Sequence, residues 1–305
     1  MFRPLRLGIS GSSFIFAMAD ELRIAAYVTP VRGVPAKLGE RLNRTMLQFT
    51  REMMRTVNRV AEGDTGCALE CYYSSSWDSE AVLDIVLEDP KVEFWSVHGP
   101  YGLHFDLSSP SESVRENGVA AYLDVIRIAA RLGARTVVAH PGANEDYDLP
   151  KAERLGLSIE PFRRIVDFAA GNSIRIAIEP LPKKEVGSRL EEVLEIVERI
   201  DRPNVGVNFD VNHVYPPEAM PDMIRQAGAR ILSVHVSDQD GIERHWLPFK
   251  GTLDWEKILA ALMEVGYSGP LVYETHIHDV ETCDQVGEAI VKNYRRLIEL
   301  APALA

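Results

Sequence analysis

Short runs of β-branched and apolar residues alternate along the chain with longer stretches whose apolar positions recur at helical spacing. The short runs predict strands at RLGIS (6–10), CALECYY (67–73), VEFWSVH (92–98), TVVAH (136–140), IRIAIE (174–179), VGVNFD (205–210), ILSVHV (231–236) and PLVYET (270–275). The longer stretches predict helices at 43–61, 78–88, 111–132, 151–171, 188–200, 217–228, 254–265 and 283–300. Ser111 and Glu112 mark a helix start, and Gly133, Gly171 and Gly266 mark helix ends.

Strands and helices in strict alternation predict a parallel α/β sheet closed as a (β/α)8 TIM barrel, a single domain over residues 1–305. The competing open, doubly wound sheet usually carries a glycine-rich phosphate loop after its first strand. Here that position reads GISGSSF, without the G-x-G-x-x-G spacing, so no nucleotide cofactor is expected. The segment 11–42 is long and apolar for a loop, and predicts an insertion that serves as a lid or a partner surface.

In such a barrel the carboxyl ends of all strands meet at one mouth. That geometry brings together His98 after the third strand, His140 after the fourth, Glu179 at the end of the fifth, and Asp210 and His213 at the exit of the sixth. His235 on the seventh strand, Glu274 on the eighth, and Glu243 and His245 from the loop after the seventh join them. Each residue alone has an ordinary structural reading, as a hydrogen-bonded histidine, a salt-bridged strand end or a turn cap. Several carboxylates in one cavity, however, raise one another's pKa unless a cation sits among them. Their convergence therefore predicts a divalent-metal site. Glu70, inside the second strand, either points into the mouth or forms a salt bridge in the barrel, and His104, His276 and His278 share no such convergence. In the loop 233–255, QDG signals a turn and T-x-D-W a helix start, and the stretch between them carries Arg244 and Lys250 toward the mouth.

Composition narrows the classes. The 33 basic and 45 acidic residues give a net charge of −12, which weighs against a broad polyanion-binding surface but leaves a local basic groove open. No apolar run reaches the roughly 18 residues of a membrane span. MFRPLRLGISG enters a strand-like segment without the pattern of a signal peptide, so a cytoplasmic protein without a membrane partner is expected. Cys67, Cys71 and Cys283 are too few for a disulfide scaffold and read as reduced thiols.

The stretches HGPY…SSP, AHPG, IEP, FDVNH, HVSDQDG…RH…GTLDW and GYSGPLVYET, from Val92 to Tyr294, resemble motifs of the xylose-isomerase-like TIM-barrel superfamily. That superfamily contains sugar isomerases, ketose 3-epimerases, inosose dehydratases and the endonuclease IV class of apurinic endonucleases. By this resemblance, Glu179, Asp210, His235 and Glu274 hold one divalent cation, Mn, Mg, Co or Zn. Glu179 and Glu274 exchange a proton next to a carbonyl of a sugar or polyol, and His213, Arg244, His98 and His140 contact substrate. The endonuclease branch adds ligands matching His98, His140, His213, Glu243 and His245 and acts with zinc on abasic DNA. The chain departs from that branch in its Glu179-Pro180 strand end, in Tyr101-Gly102 and in the loop after the first strand. The sequence thus implies a metal-dependent sugar isomerase or epimerase, with a zinc phosphodiesterase and a non-catalytic metal-binding barrel as alternatives. It leaves oligomeric state open, a homo-oligomer included.

Overall fold

Eight parallel strands pair in sequence order and the first closes on the eighth, forming a barrel. The computed structural model describes residues 5–17, 36–63, 66–72, 79–143, 148–182 and 185–301 of the chain. The strands are β1 (Leu7–Ser10), β2 (Ala68–Tyr72), β3 (Glu93–His98), β4 (Thr136–Ala139), β5 (Arg175–Ile178), β6 (Val205–Asp210), β7 (Ile231–Val236) and β8 (Leu271–Tyr273). Each is followed by a helix: α1 (Ala36–Glu62), α2 (Ser79–Leu87), α3 (Glu112–Leu132), α4 (Lys151–Gly171), α5 (Leu190–Ile200), α6 (Met220–Ala227), α7 (Trp255–Glu264) and α8 (Cys283–Ile298).

Two apolar layers follow from the period-two alternation of strand side chains. Outward residues such as Ile9, Val97, Val137, Ile178, Phe209 and Val234 pack under the helices in one large core. Inside the barrel, Ala68, Trp95 and Val272 form a separate small cluster below the mouth, with Trp95 Nε1 3.3 Å from Ser233 Oγ. Above that plug, the inward positions are polar and buried: Ser10, Glu70, Ser96, Asn208, Asp210 and His235 are all 0 % exposed. A barrel floor sealed with apolar side chains and a lumen packed with acids and imidazoles sets the site at the carboxyl ends of the strands.

Helix ends follow local chemistry. Gly133 and Gly266 adopt positive φ (67° and 74°), as expected of helix-terminating glycines. Gly171, in contrast, is the last helical residue of α4, and Ser173 takes the left-handed conformation two residues later (φ 59°). Asp254 caps α7 by accepting from the Lys257 N–H at 3.2 Å, and Thr282 with Gln285 forms a capping box on α8.

The first helix starts at Ala36, earlier than the sequence pattern indicates. AKLGERL holds a glycine and few apolar positions, so periodicity does not reveal this turn. Of the predicted 11–42 insertion, Gly11–Ala17 is a 3-10 helix tied to β8 by Ser13 Oγ donating to the Tyr273 carbonyl at 2.8 Å. Residues 18–35, and with them the predicted lid, lie outside the described residues. Among the described residues no helix is long and apolar enough to cross a membrane.

Candidate metal centre and active site

Strands β5 to β8 and the residues just past them deliver Glu179, Asp210, His235 and Glu274 to one point, with one donor atom from each lying within 4.8 Å of the others. His235 Nδ1 stands at the centre, 2.9 Å from Glu179 Oε1, 2.8 Å from Glu274 Oε2 and 3.5 Å from Asp210 Oδ2. On the far side of the ring, Nε2 lies 3.1 Å from Glu70 Oε2. Ser10 and Ser96 donate to the same Glu70 carboxylate at 2.9 and 2.7 Å.

A carboxylate held by two hydroxyl donors accepts from the imidazole, so Nε2 carries the proton and the Nδ1 lone pair faces three acids. His235 Nδ1 and Asp210 Oδ2 are buried without a hydrogen-bond partner among the described residues. Lone pairs and carboxylate oxygens gathered at one buried point repel one another unless a cation or protons lie between them. Three carboxylates and one imidazole, with the imidazole's remote nitrogen held by an acid, are a donor set that fits a divalent cation.

Two further groups flank this point. Glu179 Oε2 is 3.0 Å from His140 Nε2 and 3.5 Å from His98 Nε2, so the one carboxylate serves both sides. Beyond Asp210, Glu243 Oε1 lies 3.2 Å from His245 Nε2 and 3.6 Å from His213 Nε2. In all four of these imidazoles Nδ1 faces a backbone carbonyl: Gly99 at 3.1 Å, Pro100 at 3.3 Å, Pro180 at 3.0 Å and Glu274 at 3.2 Å for His98, His140, His213 and His245. A carbonyl only accepts, so Nδ1 bears a proton and Nε2 turns inward, with a lone pair when the ring is neutral and a second proton when it is charged.

The local electrostatics follow from this crowding. Burial opposes ionisation of Glu179, but His235 beside it, with the His140 and His98 rings on its other oxygen, holds its carboxyl well below the usual range. Burial likewise opposes the charged forms of His98 and His213, yet neighbouring carboxylates carry them to about 9 and about 10. Hydrogen bonds to His213 and His245 draw Glu243 well down. Protons and a divalent cation would compete for the same atoms here.

The loops that present these side chains are fixed from beneath. Asp238 accepts from the backbone N–H groups of Gln239, Phe249 and Leu253 and from Trp255 Nε1, at 2.7 to 3.2 Å, folding the β7–α7 loop over itself. A Cβ on Gly251 would stand 2.2 Å from the Gln239 carbonyl oxygen, so only glycine fits that fold. His245 is held at φ 52°, a left-handed conformation unusual for a side-chain-bearing residue and common at constrained sites. Under the loops after β3 and β4, buried Arg154 reaches Asp106 at 3.1 Å and Ser108 at 2.9 Å.

A cavity of about 410 Å³ opens on the cluster and is lined by His98, His140, Glu179, His213, Glu243 and Glu274 among others. Arg244 is not among its lining residues. Its guanidinium pairs with Asp240 at 2.9 and 3.1 Å and lies 5.0 Å over Trp246, because the turn closes the i to i+4 pair locally. Its backbone N–H instead donates to Asn212 at 2.7 Å. His276 lines the cavity without joining a ligand group, and His278 packs against Phe16, ring centroids 4.1 Å apart.

Residues that sequence reasoning passed over also reach the cavity. Glu185, on the loop after β5, is buried, and burial pushes it up to about 7 against the hydrogen bond from the Tyr101 hydroxyl at 2.8 Å. Its Oε2 has no partner among the described residues. Ser12 in the 3-10 helix donates to Glu274 Oε1 at 3.2 Å and touches Ser10 Oγ at 2.9 Å, joining Glu274 to Glu70 through two hydroxyls. The GISGSS loop gave no spacing signal for this, since the contact depends on where the chain turns after β1.

An uncharacterised protein of Methanocaldococcus jannaschii is 29 % identical over 210 residues, covering 66 % of this chain and 70 % of that one. D-psicose 3-epimerase of Ruminiclostridium cellulolyticum is 26 % identical over 187 residues, covering 59 % of this chain and 62 % of the relative. The crystal structure of a D-tagatose 3-epimerase-like protein superposes with a TM-score of 0.69 at 22 % identity, covering 97 % and 99 % of the two chains, which shows a shared fold. Residues 68–300 match the model of the xylose isomerase-like TIM barrel family, and the chain belongs to that family.

Proposed function

We propose that the protein is a divalent-metal-dependent isomerase or epimerase of a sugar or polyol, working by proton transfer beside a carbonyl. The observation that carries this reading is the pair Glu179 and Glu274, which both stand beside His235 Nδ1 at 2.9 and 2.8 Å, with Asp210 Oδ2, partnerless among the described residues, next to them. Glu179, Asp210, His235 Nδ1 and Glu274 would hold the cation, which when bound polarises a carbonyl and its neighbouring hydroxyl. Three carboxylates favour Mn²⁺ or Mg²⁺, and the imidazoles also suit Zn²⁺ or Co²⁺.

The chain's own residues supply the rest. One glutamate takes the proton from the carbon next to the carbonyl, and the electron pair moves toward the carbonyl oxygen. The other glutamate, on the opposite side, returns a proton. His213 presents Nε2 to the cavity, and Glu185 with Tyr101 offers an acceptor and a hydroxyl to substrate oxygens. Curated relatives described as D-psicose 3-epimerase and inosose isomerase support this reading.

Solvent deuterium exchange tests it. A panel of ketohexoses and inososes incubated with metal-loaded protein in deuterium oxide is expected to gain deuterium beside the carbonyl, and Glu179→Gln to lose both this exchange and tight metal binding. Absence of exchange into every compound by the metal-loaded protein contradicts the proposal.

A second reading rests on a different observation: all five imidazoles have their outer nitrogen pinned, and Glu179 is shared between two ligand groups. A three-zinc phosphodiesterase acting on abasic DNA would use this set. The net charge of −12 weighs against a wide DNA-binding face. Three zinc ions per chain together with cleavage of an abasic duplex would select this reading over the first.

A further inference from the structure

The cavity has two chemically different halves. One is the ligand cluster. The other runs outward past the end of β2 between α1 and α2, lined by Met46, Phe49 and Met53 of α1, Val82 and Val86 of α2, and Cys71. The α1 residues recur at three and four positions, so a single helix face points into the space. Thr50, on the same face, spends its hydroxyl on the Met46 carbonyl at 2.8 Å. Cys71 is a free cysteine whose thiol burial pushes up to about 12, so it remains neutral. This wing thus offers a ligand apolar carbon and sulfur but no free strong hydrogen-bond donor from these side chains.

A sugar oxygen drawn into such a wing would lose water and find no donor among these side chains, a loss of about 1–3 kcal/mol per group. A hydrocarbon would gain from the same transfer. Tyr72, stacked on His98 with ring centroids 5.4 Å apart, marks the border between the halves. We infer that the substrate is an α-hydroxy carbonyl compound bearing an apolar alkyl or aryl substituent, with its polar head at the acid and imidazole cluster and its substituent in the wing formed by α1 and α2. This inference rests on the metal-dependent proton-transfer reading above, and it narrows the sugar or polyol of that reading to one that carries an apolar substituent.

The reaction asked of such a compound is simple. A proton leaves C1 for a glutamate carboxylate and the C1–H electron pair becomes the second C1–C2 bond, while the carbonyl pair shifts to oxygen. Return of a solvent-exchanged deuteron restores the ketone with one C–D bond in place of C–H.

The test uses 1-hydroxy-2-alkanones from hydroxyacetone to 1-hydroxy-2-octanone with the metal-loaded full chain in deuterium oxide. Exchange at C1 is read by NMR and affinity by calorimetry. Affinity is expected to rise about fourfold for each methylene that enters the wing. Met53→Gln and Val82→Thr, at two half-buried positions, are expected to flatten that rise. If exchange occurs but affinity and rate are independent of chain length, the inference is overturned while the proton-transfer reading stands. Length-dependent affinity without exchange and without metal dependence supports the apolar subsite and overturns the reading it rests on. No binding of any alkanone overturns the inference.

Discussion

Glu70 Oε2 lies 3.1 Å from His235 Nε2 at the bottom of the barrel lumen, and both side chains are fully buried. This contact turns the imidazole so that Nδ1 meets Glu179, Asp210 and Glu274. Outer partners of this kind typically contribute 10–100-fold to metal affinity. Glu70→Ala is therefore expected to weaken Mn²⁺ binding by about that factor while leaving the circular dichroism spectrum unchanged. Glu70→Gln, whose amide oxygen still accepts from Nε2, is expected to lie between the two. Calorimetric titration of the metal-free proteins measures the order.

The flanking imidazoles separate a one-cation from a three-cation site. In the isomerase account, His98→Ala and His245→Ala retain a tight cation with affinity within about tenfold of wild type, because neither belongs to the set built on β5 to β8. Asp210→Asn is expected to lose that cation. Stepwise loss of one zinc with each histidine, measured by elemental analysis after dialysis, would instead show three occupied positions.

Glu185 gives a pH signature. Its folded pKa is raised from 4.5 to about 7 by burial, so below pH 4.5 both folded and unfolded forms hold the proton and no penalty exists. As pH rises through 7 the folded carboxyl must ionise in a buried place, and the stability tied to its proton is lost. Glu185→Gln removes that loss and keeps an acceptor for the Tyr101 hydroxyl. The variant is expected to match wild type near pH 4.5 and to exceed it by up to about 3 kcal/mol at pH 8. Denaturant melts across that range check the difference, and a constant offset with pH would contradict it.

Much of the barrel is written in local pattern. Predicted and observed strands coincide at 205–210 and 231–236 and differ by one or two residues elsewhere, because apolar runs bounded by turn residues carry their own ends. Helix α4 spans the predicted 151–171, but Ser173, not Gly171, turns the chain, since a serine in the left-handed region has no sequence mark. The convergence of these acids and imidazoles was legible because barrel geometry converts strand ends into neighbours. Glu185, Tyr101 and Ser12 were not read as site residues because their reach depends on loop paths that no periodicity encodes. Arg244 sits beside the site in sequence, yet Asp240 four residues earlier captures it. Glu70 was left between two roles, and the register shift between Leu69 and Glu70 in the β2–β3 pairing shows why alternation alone could not decide.

Anomalous diffraction from crystals of protein purified without chelator tests the metal centre most directly. Data collected at the manganese and zinc edges are expected to place an ion within about 2.0–2.3 Å of carboxylate oxygens of Glu179, Asp210 and Glu274 and of His235 Nδ1. An ion bound only elsewhere, or none at this point after soaking in Mn²⁺ or Zn²⁺, would contradict the account.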